Sequence, residues 1–169
     1  MFAGEPFSSG ATNEQGVAPR FSLSFAATDD VTVFVSAAEG FRWGGMNTPE
    51  GSNLPECIAE LDALGYESFP SSFETDSLWS YDLGIKSRWH DGRVQLNAVA
   101  YHIDWSDLQT SKYLDCGVIF VENAGDATSD GIEIELAASL LEDLFLDLTA
   151  QYGEAELADD VPGLGASAG

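Results

Sequence analysis

Apolar and polar residues alternate with a period of two along six stretches of this chain. In "RFSLSFAAT", Phe21, Leu23 and Phe25 fall on one side, with Ser22 and Ser24 on the other. "VTVFVSAAEGF" sets Val31, Val33 and Val35 against Thr32 and Ser36. "SLWSYDLGIKSRW" sets Trp79, Tyr81, Leu83 and Ile85 against Ser80, Asp82, Lys86 and Arg88. "GIEIELAASL" opposes Ile132, Ile134, Leu136 and Ala138 to Glu133, Glu135 and Ser139. "LFLDLTAQYG" opposes Leu144, Leu146, Leu148, Ala150 and Tyr152 to Asp147, Thr149 and Gln151. The remaining stretch, "RVQLNAVAYHIDW", changes phase: Val94, Leu96, Ala98 and Ala100 share a face, but Tyr101, Ile103 and Trp105 lie on the other. Either a bulge resets that strand, or its upper aromatic residues point to the polar side. Alternation sustained over eight or more residues favours strand over helix. It predicts antiparallel strands near 19–28, 31–41, 78–89, 92–107, 129–140 and 143–155.

The connections between these strands read short, long, short, long, short. The short ones are Asp29–Asp30, His90–Gly92 and Leu141–Asp143; the long ones occupy about Arg42–Ser77 and Gln109–Thr128. Outer-membrane barrels alternate short periplasmic turns with long extracellular loops, and their strands turn an apolar face to lipid and a polar face to the lumen. The expected fold is therefore all-β: an antiparallel up-and-down transmembrane β-barrel segment of about six strands, with a short helix in a long extracellular loop. Trp79 and Trp89, at the two ends of one apolar stripe, match the aromatic girdles of such barrels. Two other readings compete. One is a soluble β-sandwich, a binding module that would hold carbohydrate through Trp43, Trp79 or Trp105. The other is a passive outer-membrane pore.

Composition narrows the field. The 169 residues carry 29 acidic and 6 basic side chains, a formal net charge of −23. That balance repels nucleic acid and excludes a polybasic membrane-surface helix. No run approaches the ~18 consecutive apolar residues of a transmembrane helix. "MFAGEPFSSGATNEQG" lacks the charged and apolar regions of a signal peptide, and "DDVPGLGASAG" is rich in turn residues. The chain is expected to be a piece of something longer. Two cysteines, Cys57 and Cys116, make neither a small-secreted disulfide framework nor a zinc site.

Little of the chain suggests catalysis or a cofactor. Glu133 and Glu135 are i, i+2 on a strand, where they share a polar face; paired acid–base work is the minor reading. His90 and His102 lie at opposite ends of one strand and cannot chelate a common metal; His102, near Asp104, reads as a wall residue. "GFRWGG" lacks the strand–turn–helix setting of a phosphate loop, and the acidic residues show no EF-hand spacing. The expectation is no enzyme, no cofactor and no metal site.

Four phrases carry a family resemblance. They are Gly40-Phe41-Arg42-Trp43-Gly44-Gly45-Met46-Asn47, Tyr81-Asp82-Leu83-Gly84-Ile85-Lys86, Asp91-Gly92-Arg93-Val94-Gln95-Leu96-Asn97, and Asn123-Ala124-Gly125-Asp126-Ala127. In this order they resemble the C-terminal barrel half of TonB-dependent outer-membrane receptors, over about residues 18–157. The resemblance implies an outer-membrane location in a Gram-negative cell, with membrane lipid around the barrel. It also implies import of a scarce small-molecule or metal-chelate nutrient, such as an iron–siderophore complex, with energy delivered by the TonB complex through a plug domain. Residues 1–169 would be a partial barrel domain without that plug. Six strands cannot close a barrel of about 22, so the segment alone is expected not to transport.

The first long loop contains "NLPECIAELDALGY", which predicts a short helix with Asn53 as N-cap, Pro55 in the first turn and Gly65 beyond the end. Ile58, Leu61 and Leu64 would share a face. The loop either folds over the barrel mouth or helps bind ligand, and the two are compatible. Cys57 sits in this loop and Cys116 in the next, on the same oxidising side of the membrane. Receptors of the resembling family often pair such loop cysteines, so a Cys57–Cys116 disulfide is expected; two free thiols are the alternative.

Overall fold

The structure is a computed structural model, and it describes residues 15–158. Six long strands form one antiparallel sheet: β1 (Arg20–Thr28), β2 (Val31–Arg42), β5 (Asp76–Trp89), β6 (Val94–Ser106), β9 (Ala127–Leu141) and β10 (Leu144–Leu157). Their order in space is their order in sequence. The expected up-and-down topology is therefore present, and the strand bounds lie within about two residues of those read from the alternation. The two long connections carry structure the alternation did not reveal. The first holds β3 (Gly45–Met46), α1 (Pro55–Ala63) and β4 (Ser72–Phe73), and the second holds a hairpin, β7 (Gln109–Tyr113) with β8 (Ile119–Asn123).

The register fixes which residues share a face. Leu23, Val35, Leu83, Ala100, Ile132 and Tyr152 lie in one row across all six strands. The neighbouring row on the same face is Phe25, Val33, Ile85, Ala98, Ile134 and Ala150. On the opposite face one row reads Ala26, Thr32, Lys86, Asn97, Glu135 and Thr149. The alternation of the sequence thus becomes two continuous surfaces, one oily and one polar.

Among the described residues nothing packs over the oily surface. Among the described residues only six apolar side chains are buried, and five of them belong to one cluster in the loops; the sixth is Ala138. Leu83, at the centre of the oily face, is 56% exposed. A sandwich would pack this face against a second sheet ~10 Å away; here the six-stranded sheet is a single layer. That overturns the soluble-sandwich reading. The three tryptophans weighed for carbohydrate do not form a platform either: Trp79 pairs with Asp104, Trp105 with Leu78, and so the two indoles sit on opposite faces.

The phase change in β6 is not a bulge. Its register is unbroken against β5 and against β9 from Val94 to Trp105. Tyr101, Ile103 and Trp105 therefore sit on the polar face, and His102 and Asp104 on the oily one. Glycines make room for the aromatics. A Cβ on Gly131 would meet the Tyr101 ring at 2.4 Å, and one on Gly153 would meet its hydroxyl at 2.6 Å. Phe34 covers Gly84 in the same way, at 2.3 Å, and Lys86 Nζ stands 5.5 Å from the Phe34 ring centroid. Large rings lie flat along the wall where the neighbouring strand has no side chain. Register shifts do occur, at Ala26/Thr28 and Leu144/Phe145, each beside a short turn.

In α1 two expectations fail. The N-cap is Leu54, with no side-chain cap, rather than Asn53. The buried positions are Cys57 and Leu61, while Ile58 and Leu64 are exposed. Cys57 has to point at its partner loop, which rotates the buried stripe to the i, i+4 pair that includes it. Pro55 does open the helix, and Gly65, just past its end, has φ +89°.

Candidate functional site

The long connections lie at one end of the sheet, the extracellular end in barrels of this topology, and there they build the mouth. The site starts with Asp76, at the first position of β5 and 1% exposed. A carboxylate so buried needs partners. The backbone N–H and guanidinium of Arg42 donate to it, Nε at 3.0 Å from Oδ2, and Nη2 completes an ion pair. Trp105 Nε1 donates at 3.0 Å and the Gln109 backbone N–H at 3.1 Å. Arg42 also stacks over the Trp105 ring at 5.0 Å. The Gln109 side-chain amide then donates to the carbonyls of Trp43 (3.1 Å) and Glu74 (2.8 Å). One carboxylate and one amide thus tie together the bases of both loops.

Farther out, side chains of one loop pair with backbone of the other. Asn47 mimics a strand against β8: its Nδ2 donates to Val121 O at 2.7 Å, and its Oδ1 accepts from Val121 N–H at 2.8 Å. Asn123 does the same to Glu74, accepting from its N–H at 2.8 Å and donating to its carbonyl at 3.1 Å. Glu60, on α1, accepts the N–H groups of Asp115 at 2.8 Å and Cys116 at 3.3 Å. Cys57 and Cys116 are joined by a disulfide, with their Cα atoms 5.4 Å apart. Around it Leu61, Leu114, Val118 and Phe120 form a small core, with Tyr66, Phe69 and Cys116 at its margin. Tyr66 donates its hydroxyl to Glu122, which also pairs with Lys112 Nζ at 3.3 Å. Burial and that carboxylate push the Tyr66 phenol above its ordinary pKa.

Of the motif residues, those of the first and last phrases stand at this frame, and those of the second and third lie in mid-sheet or at the opposite turn. Gly40, Phe41 and Arg42 end β2, and Arg42 is the Asp76 partner. Gly44 donates its N–H to Thr75 Oγ1 at 3.0 Å. Gly45 lies beneath the Phe73 ring, where a Cβ would come within 2.7 Å. Tyr81, Leu83, Gly84 and Lys86 sit in mid-β5, Tyr81 and Leu83 on the oily face and Gly84 and Lys86 on the polar face. Asp91 takes φ +57° in the turn. Arg93 leaves that turn by accepting the Ser139 N–H at 2.8 Å on its carbonyl. Leu96 faces outward, and Asn97 donates to Glu135 Oε2 at 3.3 Å. Ala124 and Gly125 close the second loop through backbone bonds to Leu108, and Gly125 has φ +94°. Glu133 and Glu135 share the polar face, while His102 stands outside between Asp130 (2.8 Å) and Asp104 (3.0 Å).

Sequence reasoning missed Asp76, Gln109 and Glu60. Each works by accepting or donating across the two loops, and nothing in its local pattern distinguishes it from an ordinary polar loop residue.

Beneath the paired loops the polar face carries an apolar notch of about 420 Å3, lined by Ile103, Trp105, Leu108, Ala127, Ala155 and Leu157. It lies on the lumenal side, just inside the mouth.

A single-layer sheet with an uncovered oily face, a polar opposite face, short turns at one end and folded loops at the other is the wall of a transmembrane β-barrel. The TonB dependent receptor-like β-barrel family model matches residues 3–168, and the chain belongs to that family of outer-membrane proteins. Among relatives, it is 24% identical over 147 residues to the metal-pseudopaline receptor CntO of Pseudomonas aeruginosa, covering 87% of this chain and 18% of that protein. It is 27% identical over 133 residues to the pesticin receptor of Yersinia enterocolitica, covering 78% of this chain and 17% of that protein. Among solved structures, it superposes on the ferric yersiniabactin uptake receptor FyuA of Yersinia pestis with a TM-score of 0.62, at 21% identity over 85% of this chain and 19% of that one. The alcaligin outer-membrane receptor FauA of Bordetella pertussis gives a TM-score of 0.56 at 16% identity, over 86% of this chain and 23% of that one. The chain thus spans about a fifth of the length of the receptors it resembles.

Proposed function

We propose that this chain is part of the barrel of an outer-membrane receptor that imports a scarce nutrient, such as an iron–siderophore complex, and that it performs no catalysis. The observation that carries the reading is the two-sided sheet, oily outside and polar inside, ending in a structured mouth and belonging to the TonB-dependent receptor family. The six strands supply one arc of the wall, with unpaired edges at β1 and β10 among the described residues. Open edges are not tolerated in hydrocarbon, so in the receptor further strands pair with both edges. Relatives named for metal–pseudopaline binding and for ferric yersiniabactin uptake support a metal chelate as cargo. The notch beside Trp105 offers an apolar surface for the organic part of such a chelate.

Uptake of radioactive iron by iron-starved cells, with the receptor gene present, deleted, or present in a strain lacking TonB, tests this. Uptake that needs both gene and TonB is expected. Uptake that survives loss of TonB would point to the passive pore instead, and uptake unaffected by deleting the gene would contradict the iron reading.

A further inference from the structure

The bonds between the two long loops are more numerous than a single disulfide requires, and they are spread from base to tip. At the base, the Asp76 carboxylate and the Gln109 amide hold both loops to the rim. Midway, Asn47 and Asn123 stitch the first loop to the edge of β8. At the tip, Glu60 and the disulfide join α1 to the segment around Cys116. The small core is shared, since Leu61 comes from the first loop and Leu114, Val118 and Phe120 from the second. Neither loop has a core of its own among the described residues. Separating them would expose Phe120, now 1% exposed, and take from buried Asn47, 8% exposed, both of its bonds to Val121.

We infer that residues 43–75 and 107–126 are one cooperative body, which opens as a unit or not at all and forms a fixed wall of the mouth. Loops that close over a ligand are drawn from the low-stability end of a structure. This pair, with a disulfide, a buried shared core and bonds at both ends, is at the other end of that range. Closure over cargo would then fall to segments of the receptor outside this chain, a consequence that rests on the import reading above. The coupling itself does not rest on it.

Amide hydrogen exchange on the full-length receptor, with no cargo added, tests the coupling. Phe120→Ala lies in the second loop, and the readout is α1 in the first. The expected result is that α1 and the β7–β8 hairpin lose protection by a common factor, on the order of a hundredfold for a large aromatic removed from a small core. Exchange in α1 that stays at the parent rate, whatever the hairpin does, would overturn the inference. If that variant does not assemble, Asn47→Ala replaces it, with the β7–β8 hairpin tip as the distant readout: faster exchange there together with α1 supports one body, and an effect confined to Val121 overturns it. Because no cargo is involved, a failure here leaves the import proposal standing, and a failure of iron uptake leaves the coupling standing.

Discussion

The six-stranded sheet and the loop cap above it are made from the same chain by opposite means. The sheet pairs its four inner strands by hydrogen bonds on both sides and leaves its apolar side chains uncovered among the described residues, Leu23, Leu83, Ile132 and Tyr152 in a single row. The cap has short strands and one nine-residue helix, and it buries Leu61, Leu114, Val118 and Phe120 around a disulfide while leaving others, such as Ile58 and Tyr113, exposed. Each is a sound solution for its own solvent. In lipid an exposed leucine costs nothing, and an unpaired backbone group costs several kcal/mol. In water the ledger reverses, and a small unit needs a core or a covalent staple. The difference is that the cap is held by a buried cluster shared between its loops, whereas the sheet has no such cluster and is held by its backbone ladder.

That contrast can be broken at either end. The largest effect is expected from removing the staple. Replacing Cys57 and Cys116 by serine should cost about 4 kcal/mol in the chain-entropy model, given a sequence separation of 59 residues. The loss should be confined to the cap. Limited proteolysis should cut the loops sooner, while the heat-modifiable mobility of the barrel on gels stays as in the parent. Mass spectrometry of a non-reduced digest of the parent should show the Cys57–Cys116 peptide pair, and alkylatable thiols at both positions would remove the staple from the account.

The sheet should answer to a different insult. Ile134→Arg places a charge in the oily row, at a cost of roughly 2–4 kcal/mol near the bilayer midplane. The neighbouring Glu135→Gln, on the polar face, should leave assembly unchanged. Equal tolerance at the two positions, measured by urea unfolding in lipid vesicles, would mean the faces are misassigned.

A smaller effect is expected at the seam between the regions. Asn47→Ala leaves the Val121 N–H and C=O without their side-chain partner, and unsatisfied buried groups cost about 1–3 kcal/mol. The cap should loosen, read as earlier loop cleavage, with unfolding of the sheet unaltered.

The sheet was legible in the sequence, while of the cap only the helix opened by Pro55 and followed by Gly65 was, and the comparison explains why. Strand and facing follow from a period of two that repeats locally, so Val31, Val33 and Val35 declare their side without reference to anything distant. Even there β6 stayed ambiguous, because placing Tyr101 inward depends on the absence of side chains at Gly131 and Gly153, two strands' worth of sequence away. In the cap almost every decision is non-local. Asn53 was a reasonable N-cap by local chemistry, yet the helix begins after Leu54, because the orientation of Cys57 toward Cys116 sets its rotation. Asp76 looked like one acid among 29; only the folded rim shows Arg42, Trp105 and Gln109 converging on it. The motif residues were readable as words, while the work they do, such as Asn47 filling the edge of β8, needed the partner strand to be in place.

The central claim is that one face of this sheet meets lipid and the other meets a wet lumen, and adjacent residues of β5 test it most directly. Spin labels placed singly at Leu83 and Asp82 of the full-length receptor, reconstituted in lipid vesicles, report collision with oxygen, which concentrates in hydrocarbon, and with a water-soluble nickel chelate. The account predicts high oxygen and low nickel accessibility at position 83, and the opposite balance at position 82. The same balance at both positions, or its reversal, would contradict it.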